Sequence, residues 1–330
     1  MLVTGKQQKK IDYFGILKKS WQITWNNKYL WWFGLFMALG SGGANFNFSF
    51  DGSGWGDKTE TPQEAQEAFA NFVSQYSGWI IAGLSLLAVL VIIFLILRII
   101  GQVGIIKSVD NIEKGKRSNF SAGLKEGKKY FWKVFFTGLL IGLFILAIII
   151  ILFLPVASLF YLKSFIIGTI TALLAIIIFV PLVILASFIK IYSYLYIVLG
   201  NLSIRSALEN AYRTFRNNLF SSIVMGLVFI PLVMLMGIAM IFVIVSLAIV
   251  FLVVGLIFYF ILNKIGIIIT IVLGAISLLF IVLLIKSVYE TFHQAAWVLF
   301  FREIALVKDK GMGEIEEELI NKKVPEPERA

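Results

Sequence analysis

LENAYRTFRNNLF, residues 208–220, is followed by 42 residues, 221–262, without a single charged side chain. Within the thirteen, Leu208, Ala211, Tyr212, Phe215 and Leu219 recur at helical spacing, while Glu209, Arg213, Arg216 and Asn217 fall on the other side. The stretch therefore reads as a basic amphipathic helix lying on a surface. It runs without a break into a segment suited to lipid, so a surface-lying helix feeds directly into a membrane.

The rest of the chain agrees. Of its 330 residues, 59% are hydrophobic and 15% charged, and the mean hydropathy is +0.92; ordinary soluble domains carry roughly a quarter charged residues. Several charge-free runs reach the ~20 residues that a helix needs to cross a bilayer. Barrel strands would alternate apolar and polar residues, and these runs do not. The fold class is all-α, a polytopic bundle of transmembrane helices that satisfy their own backbone groups in lipid.

Charge distribution orients the bundle. Residues 1–28 carry six Lys and one Asp, residues 98–133 nine basic and three acidic side chains, and residues 190–216 four basic and one acidic, whereas residues 40–76 hold one Lys against five acids. By the positive-inside rule the basic regions and both termini are cytoplasmic and the 40–76 loop lies outside. The organisation expected is a basic interfacial helix at 1–28, a transmembrane domain at 29–307 containing that loop, and a charged tail at 308–330. No apolar leader opens the sequence, so the first membrane segment is expected to direct insertion. The absence of cysteine removes disulfides and thiolate chemistry. Because the basic clusters sit beside membrane segments, they point to topology and anionic headgroups rather than to nucleic acid.

Along the chain, residues 11–32 place Ile11, Phe14, Leu17, Trp21 and Trp25 near helical spacing among Lys18, Lys19 and Lys28, an interfacial arrangement. A first, short membrane segment falls near 29–39. Thr61, Pro62 and Glu64 form a helix start, with a capping Thr and Pro at the first helical position. Further segments are expected at 77–97, 134–162, 165–188 and 265–285, the last extended by a polar helix to about residue 307. Residues 217–263 form an uncharged run of 47, about 70 Å as one straight helix against a hydrocarbon core of about 30 Å. It is expected to bend or fold back, with Pro231 and Gly237 as the places to do so.

Three units can be superposed. Amphipathic stretches start at Leu17, Leu124 and Leu208, and each unit ends in a basic residue after an apolar run, at Arg98, Lys190 and Lys286, 92 and 96 residues apart. In the second unit Phe120, Leu124, Phe131 and Phe135 line one side and Lys125, Lys128, Lys129 and Lys133 the other. Three hairpins give six spans; two spans within residues 217–263 would give seven.

Motifs that could carry chemistry are sparse. His293, the lone histidine, shares a helical face with Lys286, Glu290 and Trp297. One Glu-x-x-His pair falls short of a di-iron bundle site, which needs two pairs and two further Glu, so the face reads as a polar stripe. Asp51 and Asp57 stand in a Gly-rich segment without the oxygen-ligand pattern of a calcium loop. Gly138 and Gly142, and Gly266, Thr270 and Gly274, space small residues for close helix approach within the bundle or between copies. Pro155, Pro181 and Pro231 recur as FLPVA, FVPLV and FIPLV, either tolerated kinks or hinges of a transporter.

The pattern of Trp25, Asn26, Asn27, Lys28, Leu30, Trp31, Trp32, Phe33 and Gly34 at the front, with Ala207, Leu208, Ala211, Phe215 and Leu219 in the third unit, resembles a group of bacterial membrane proteins. These are related to the membrane domain found beside glycerophosphoryl diester phosphodiesterases. The resemblance covers residues 10–305 and implies a membrane module in a bacterial inner membrane; the catalytic barrel of those enzymes has no counterpart here. The expectation is a non-enzymatic protein without cofactor or metal, organising membrane lipids. Its anionic-headgroup contacts would be Lys18, Lys19, Lys28, Lys125, Lys128, Lys129, Lys133, Arg213 and Arg216, and its partners lipids, a second copy or another membrane protein. The alternative is a permease for a lipid-like or apolar solute, hinged at the three prolines.

Overall fold

A computed structural model describes residues 11–40 and 62–306, and these residues are helical almost throughout. Among the described residues nine α-helices follow in order: α1 (Tyr13–Asn26), α2 (Leu30–Gly40), α3 (Pro62–Gln75), α4 (Ser77–Glu113), α5 (Phe120–Tyr161), α6 (Phe165–Gly200), α7 (Ile204–Asn217), α8 (Leu219–Leu262) and α9 (Lys264–Phe301), the last followed by a π-helical turn, Arg302–Leu306. Side chains start several of them. Asp12 accepts a hydrogen bond from the Gly15 N–H at 2.8 Å, Asn119 from Ala122 at 2.8 Å and Ser203 from Ser206 at 3.3 Å, each satisfying an N-terminal amide that the helix leaves unpaired.

Among the described residues five helices, α4, α5, α6, α8 and α9, are long and apolar enough to cross a membrane. At 36 to 44 residues, or about 54 to 66 Å, they are longer than a bilayer requires. Burial explains the excess. Each is buried mainly towards one end: Ile100–Asp110 in α4, Gly123–Ile141 in α5, Ala186–Val198 in α6, Ser222–Phe229 in α8 and Ser287–Phe301 in α9. These ends gather with α1, α2 and α7 into a packed base around Phe33, Tyr192, Phe300 and Phe301. The opposite ends, the tip, present apolar side chains outward, as a lipid-facing surface must. Length that one bilayer cannot hold is thus spent on a head of core packing beyond it.

Three expectations are corrected. Residues 217–263 do not fold back at Pro231 or Gly237: α8 is one continuous helix of 44 residues with both inside it. The return falls at Asn263, whose φ of 56° and ψ of −138° reverse the chain in a single residue before α9. Gly266 makes this possible, because a Cβ there would collide with the Phe258 carbonyl. Second, residues 208–220 do not run unbroken into the span, because α7 ends at Asn217 and Asn218 caps it before α8 begins. Third, the 11–32 stretch breaks at Asn27, where α1 ends before α2 starts.

The first membrane segment is α2, and at 11 residues it is about 16 Å long, half a hydrocarbon core. It is a wedge within the base. Gly34 lies so close to α9 that a Cβ would meet the Ser287 carbonyl and the Thr291 hydroxyl, and on the opposite side Gly101 of α4 would meet the Phe33 carbonyl at 2.6 Å. Ser287 and Thr291 in turn donate hydrogen bonds to the carbonyls of Trp31 and Leu30. Small residues bring the backbones together, and the hydroxyls then fix the register.

Candidate functional site

Polar chemistry concentrates at the base. In its interior, Asp110 of α4 is 1% exposed and is held by Lys114 at 2.6 Å and by Arg302 of the π-helical turn. This three-member ion cluster ties the π-helical turn to α4. Lys19 of α1 reaches Glu113 at 2.7 Å. Gln102 donates to Gln294 at 3.5 Å, and the buried Tyr192 shares a hydrogen bond with Ser222 at 2.7 Å, joining α6 to α8.

Higher on α9, the stripe read from the sequence divides in two. The Trp297 Nε1–H donates to His293 Nε2 at 3.0 Å, and the imidazole is enclosed by Phe229, at 4.5 Å between ring centroids, and Tyr289, at 5.8 Å. The histidine serves as a hydrogen-bond acceptor in an aromatic cage. Glu290 points elsewhere, into Coulombic reach of Arg98 and Lys286.

The basic residues singled out from the sequence are largely on the surface. Lys18, Lys28, Lys125, Lys128, Arg213 and Arg216 are exposed. Lys129 is exposed as well, 4.0 Å from Glu126 and 5.0 Å from the Tyr130 ring centroid. Lys133, half-buried, donates to the Leu202 carbonyl at 3.5 Å and so fastens α5 to the connection before α7. Exposed aromatic side chains accompany them: Trp21 stacks on Trp25 at 5.4 Å, and Trp132 stacks on Phe136 at 5.8 Å. Lysine heads beside half-exposed indoles make an amphipathic belt of the kind that sits at headgroup depth.

Pro155, Pro181 and Pro231 lie inside unbroken helices. Gly138 faces the Tyr194 hydroxyl, while a Cβ at Gly142 would meet nothing within 4 Å. Gly266 and Gly274 pack against Phe258 and Phe251 of α8, and Thr270 against Gly255, so this small-residue series serves the α8–α9 hairpin. Between those helices near the tip is an open apolar groove of about 340 Å³, lined in part by Phe251, Gly255, Tyr259 and Thr270. Asp51 and Asp57 lie outside the described residues.

Sequence reasoning missed the Asp110 cluster. A signal for it was present: Asp110 continues the buried face of Val103 and Ile106 at helical spacing, and an acid on such a face needs a cation. Among the described residues, no three His, Cys, Asp or Glu side chains come together as a metal site.

Five long apolar helices rising from a polar, aromatic-belted base define the class, an integral membrane protein of the polytopic α-helical type. Within it, residues 30–306 match the model of a family of unknown function, DUF7544, and the chain belongs to that family. No curated protein and no solved structure matches the chain.

Proposed function

We propose that this protein is a non-catalytic membrane organiser whose basic, aromatic-edged base rests on an anionic lipid surface. In this reading the base faces the cytoplasm, and the amphipathic stretches of three repeated units, in α1, the start of α5 and α7, lie along it. The module corresponds to the membrane domain that accompanies glycerophosphoryl diester phosphodiesterases. The observation that carries the reading is the belt itself: Lys18, Lys125, Lys128, Arg213 and Arg216 are exposed on helices that also expose Trp21, Trp25, Trp132 and Tyr212, and Lys28 is exposed in the turn after α1. Each basic side chain held at an anionic surface contributes about 1 kcal/mol, so the belt as a whole binds substantially.

Reconstitution into neutral and anionic bilayers tests it. Amide hydrogen exchange in α1, α7 and the first turns of α5 is expected to slow in the anionic bilayer and to recover at high salt. Exchange indifferent to lipid charge would sink the proposal. The permease alternative requires a cavity among α5, α6 and α8; the groove described above lies instead between α8 and α9 and has an apolar lining.

A further inference from the structure

The hairpin of α8 and α9 turns at the tip through Asn263 and Lys264. Beyond Lys264, residues 265–285 of α9 form a charge-free run of 21 closed by Lys286. That run is about 31 Å long, one hydrocarbon thickness, so the first turns of α9 stand in the leaflet on the tip side. The groove of about 340 Å³ lies at this depth. Ile267, Thr270 and Ile271 line it on α9, and Phe251, Gly255 and Tyr259 are among its walls on α8. From Phe251 to Tyr259 is a rise of about 12 Å, contained in the ~15 Å of one leaflet, half of the hydrocarbon core.

One glycine gives the groove its shape. A Cβ at Gly255 would stand 3.3 Å from the Thr270 methyl carbon, so the helices approach closely there. The side chain that is missing leaves a furrow between Phe251 and Tyr259, one turn to either side on the same face. Thr270 is buried and donates its hydroxyl to the Gly266 carbonyl at 2.8 Å; its polar atom is satisfied within α9, and the floor is left apolar.

The end towards the tip has different chemistry. Lys264, Ile267 and Ile271 fall at i, i+3 and i+7, so the α9 wall finishes in an ammonium group. Lys264 is exposed, and the ion pairs among the described residues involve other side chains. The α8 wall finishes in Tyr259, 43% exposed. Helical side chains lean towards their own N-terminus. Lys264 therefore leans out to the surface, and Tyr259, on a helix running the other way, leans back towards the hydrocarbon. An ammonium at the surface, a phenol hydroxyl below it and an apolar furrow one leaflet deep repeat the order of groups in a glycerophospholipid: phosphate, ester carbonyl, acyl chain. A bare hydrocarbon would leave the ammonium without a counter-charge, and a water-soluble solute would gain nothing from the lining.

We propose that the α8–α9 groove seats one anionic phospholipid of the tip-side leaflet, with an acyl chain along Gly255 and Thr270, an ester carbonyl at the Tyr259 hydroxyl and the phosphate at Lys264. The site stands at the end of the molecule away from the lysine belt of the base, and neither reading depends on the other.

Photolabelling of the full chain tests it. The protein is reconstituted with phosphatidylglycerol carrying a diazirine in one acyl chain, irradiated, and mapped by peptide mass spectrometry. Residues 251–259 and 267–271 are expected to be labelled well above residues 166–174 of α6, which start at the same tip surface and include the equally exposed Ile166, Ile170 and Leu173. Equal labelling of the two regions overturns the site, whatever the exchange experiment on the base returns. Lys264→Gln is expected to lower the excess about fivefold. Leu256→Trp, which fills the groove from an exposed position, should abolish it, while Ile268→Trp, of the same bulk on α9 but outside the lining, should leave it unchanged. An excess that survives Lys264→Gln, or that is as large with phosphatidylcholine bearing the same probe, overturns the anionic headgroup. Loss of the excess in Ile268→Trp as well as Leu256→Trp overturns the groove as its source. The wild-type comparison needs no substitution, so a variant that fails to insert leaves the site open to refutation.

Discussion

At the scale of single residues, the base depends on a few buried polar groups whose partners come from far along the chain. Asp110 is the clearest. With its side chain 1% exposed, its charge is tolerable only because Lys114 and Arg302 compensate it. Arg302→Met leaves the carboxylate with Lys114 alone and should cost about 2 to 3 kcal/mol. Adding Asp110→Asn should return part of that loss, since the uncompensated charge is then gone. Thermal unfolding of the two single variants and the double variant in detergent checks this, and equal melting temperatures for Arg302→Met and the double variant would contradict it. Such pairings were illegible in the sequence because they join positions 192 apart, and one chain carries no sign of which distant cation an acid meets. The exposed lysines were legible, because a charge among apolar residues at helical spacing identifies its own face.

At the scale of elements, helix identity followed from hydrophobic runs and their bounding charges, and the turn at Lys163 falls where one charge interrupts two apolar segments. The 44-residue α8 was misread for a physical reason. Measured against a bilayer alone it is too long, and nothing in an uncharged run marks where lipid ends and protein begins. Ser222, Met225 and Phe229 are buried in the base, so its first turns never needed to fit the membrane. The reversal at Asn263 was likewise hidden, since Asn-Lys is a weak turn signal beside Pro or Gly. Its backbone, at φ 56°, is a conformation glycine adopts freely and β-branched residues resist. Asn263→Gly should leave the hairpin intact or raise the melting temperature slightly, and Asn263→Val should lower stability by about 1 to 3 kcal/mol. If both variants melt alike, the turn is not under that backbone constraint.

At the scale of the whole molecule, the division between a packed base and splayed, lipid-facing spans follows from one competition. Apolar surface in water drives burial strongly, whereas in hydrocarbon it gains nothing from leaving lipid. Side chains beyond the bilayer therefore collapse into a core, and those within it need only enough small residues to form hairpins. The composition already implied a membrane protein. It did not imply a head, because the head is built from the same apolar alphabet as the spans.

The wedge α2 has a consequence in time. Its carbonyls at Trp31 and Leu30 are bonded by Ser287 and Thr291, 256 and 261 residues later. At a synthesis rate of about 5 to 20 residues per second, α2 waits roughly 13 to 50 seconds for the helix that completes its seat. Until then it is a short apolar segment that neither spans the bilayer nor has a groove to lie in. A chain stopped at Ile285 should insert α4 to α8 and yet leave the 27–40 region open to protease, whereas one stopped after Leu306 should protect it. Equal protection in the two would mean that α2 is seated by α4 alone. Helix α9 thus acts as a latch on α2, and any ribosome that stops short of it releases a protein already in the membrane with its door unfastened.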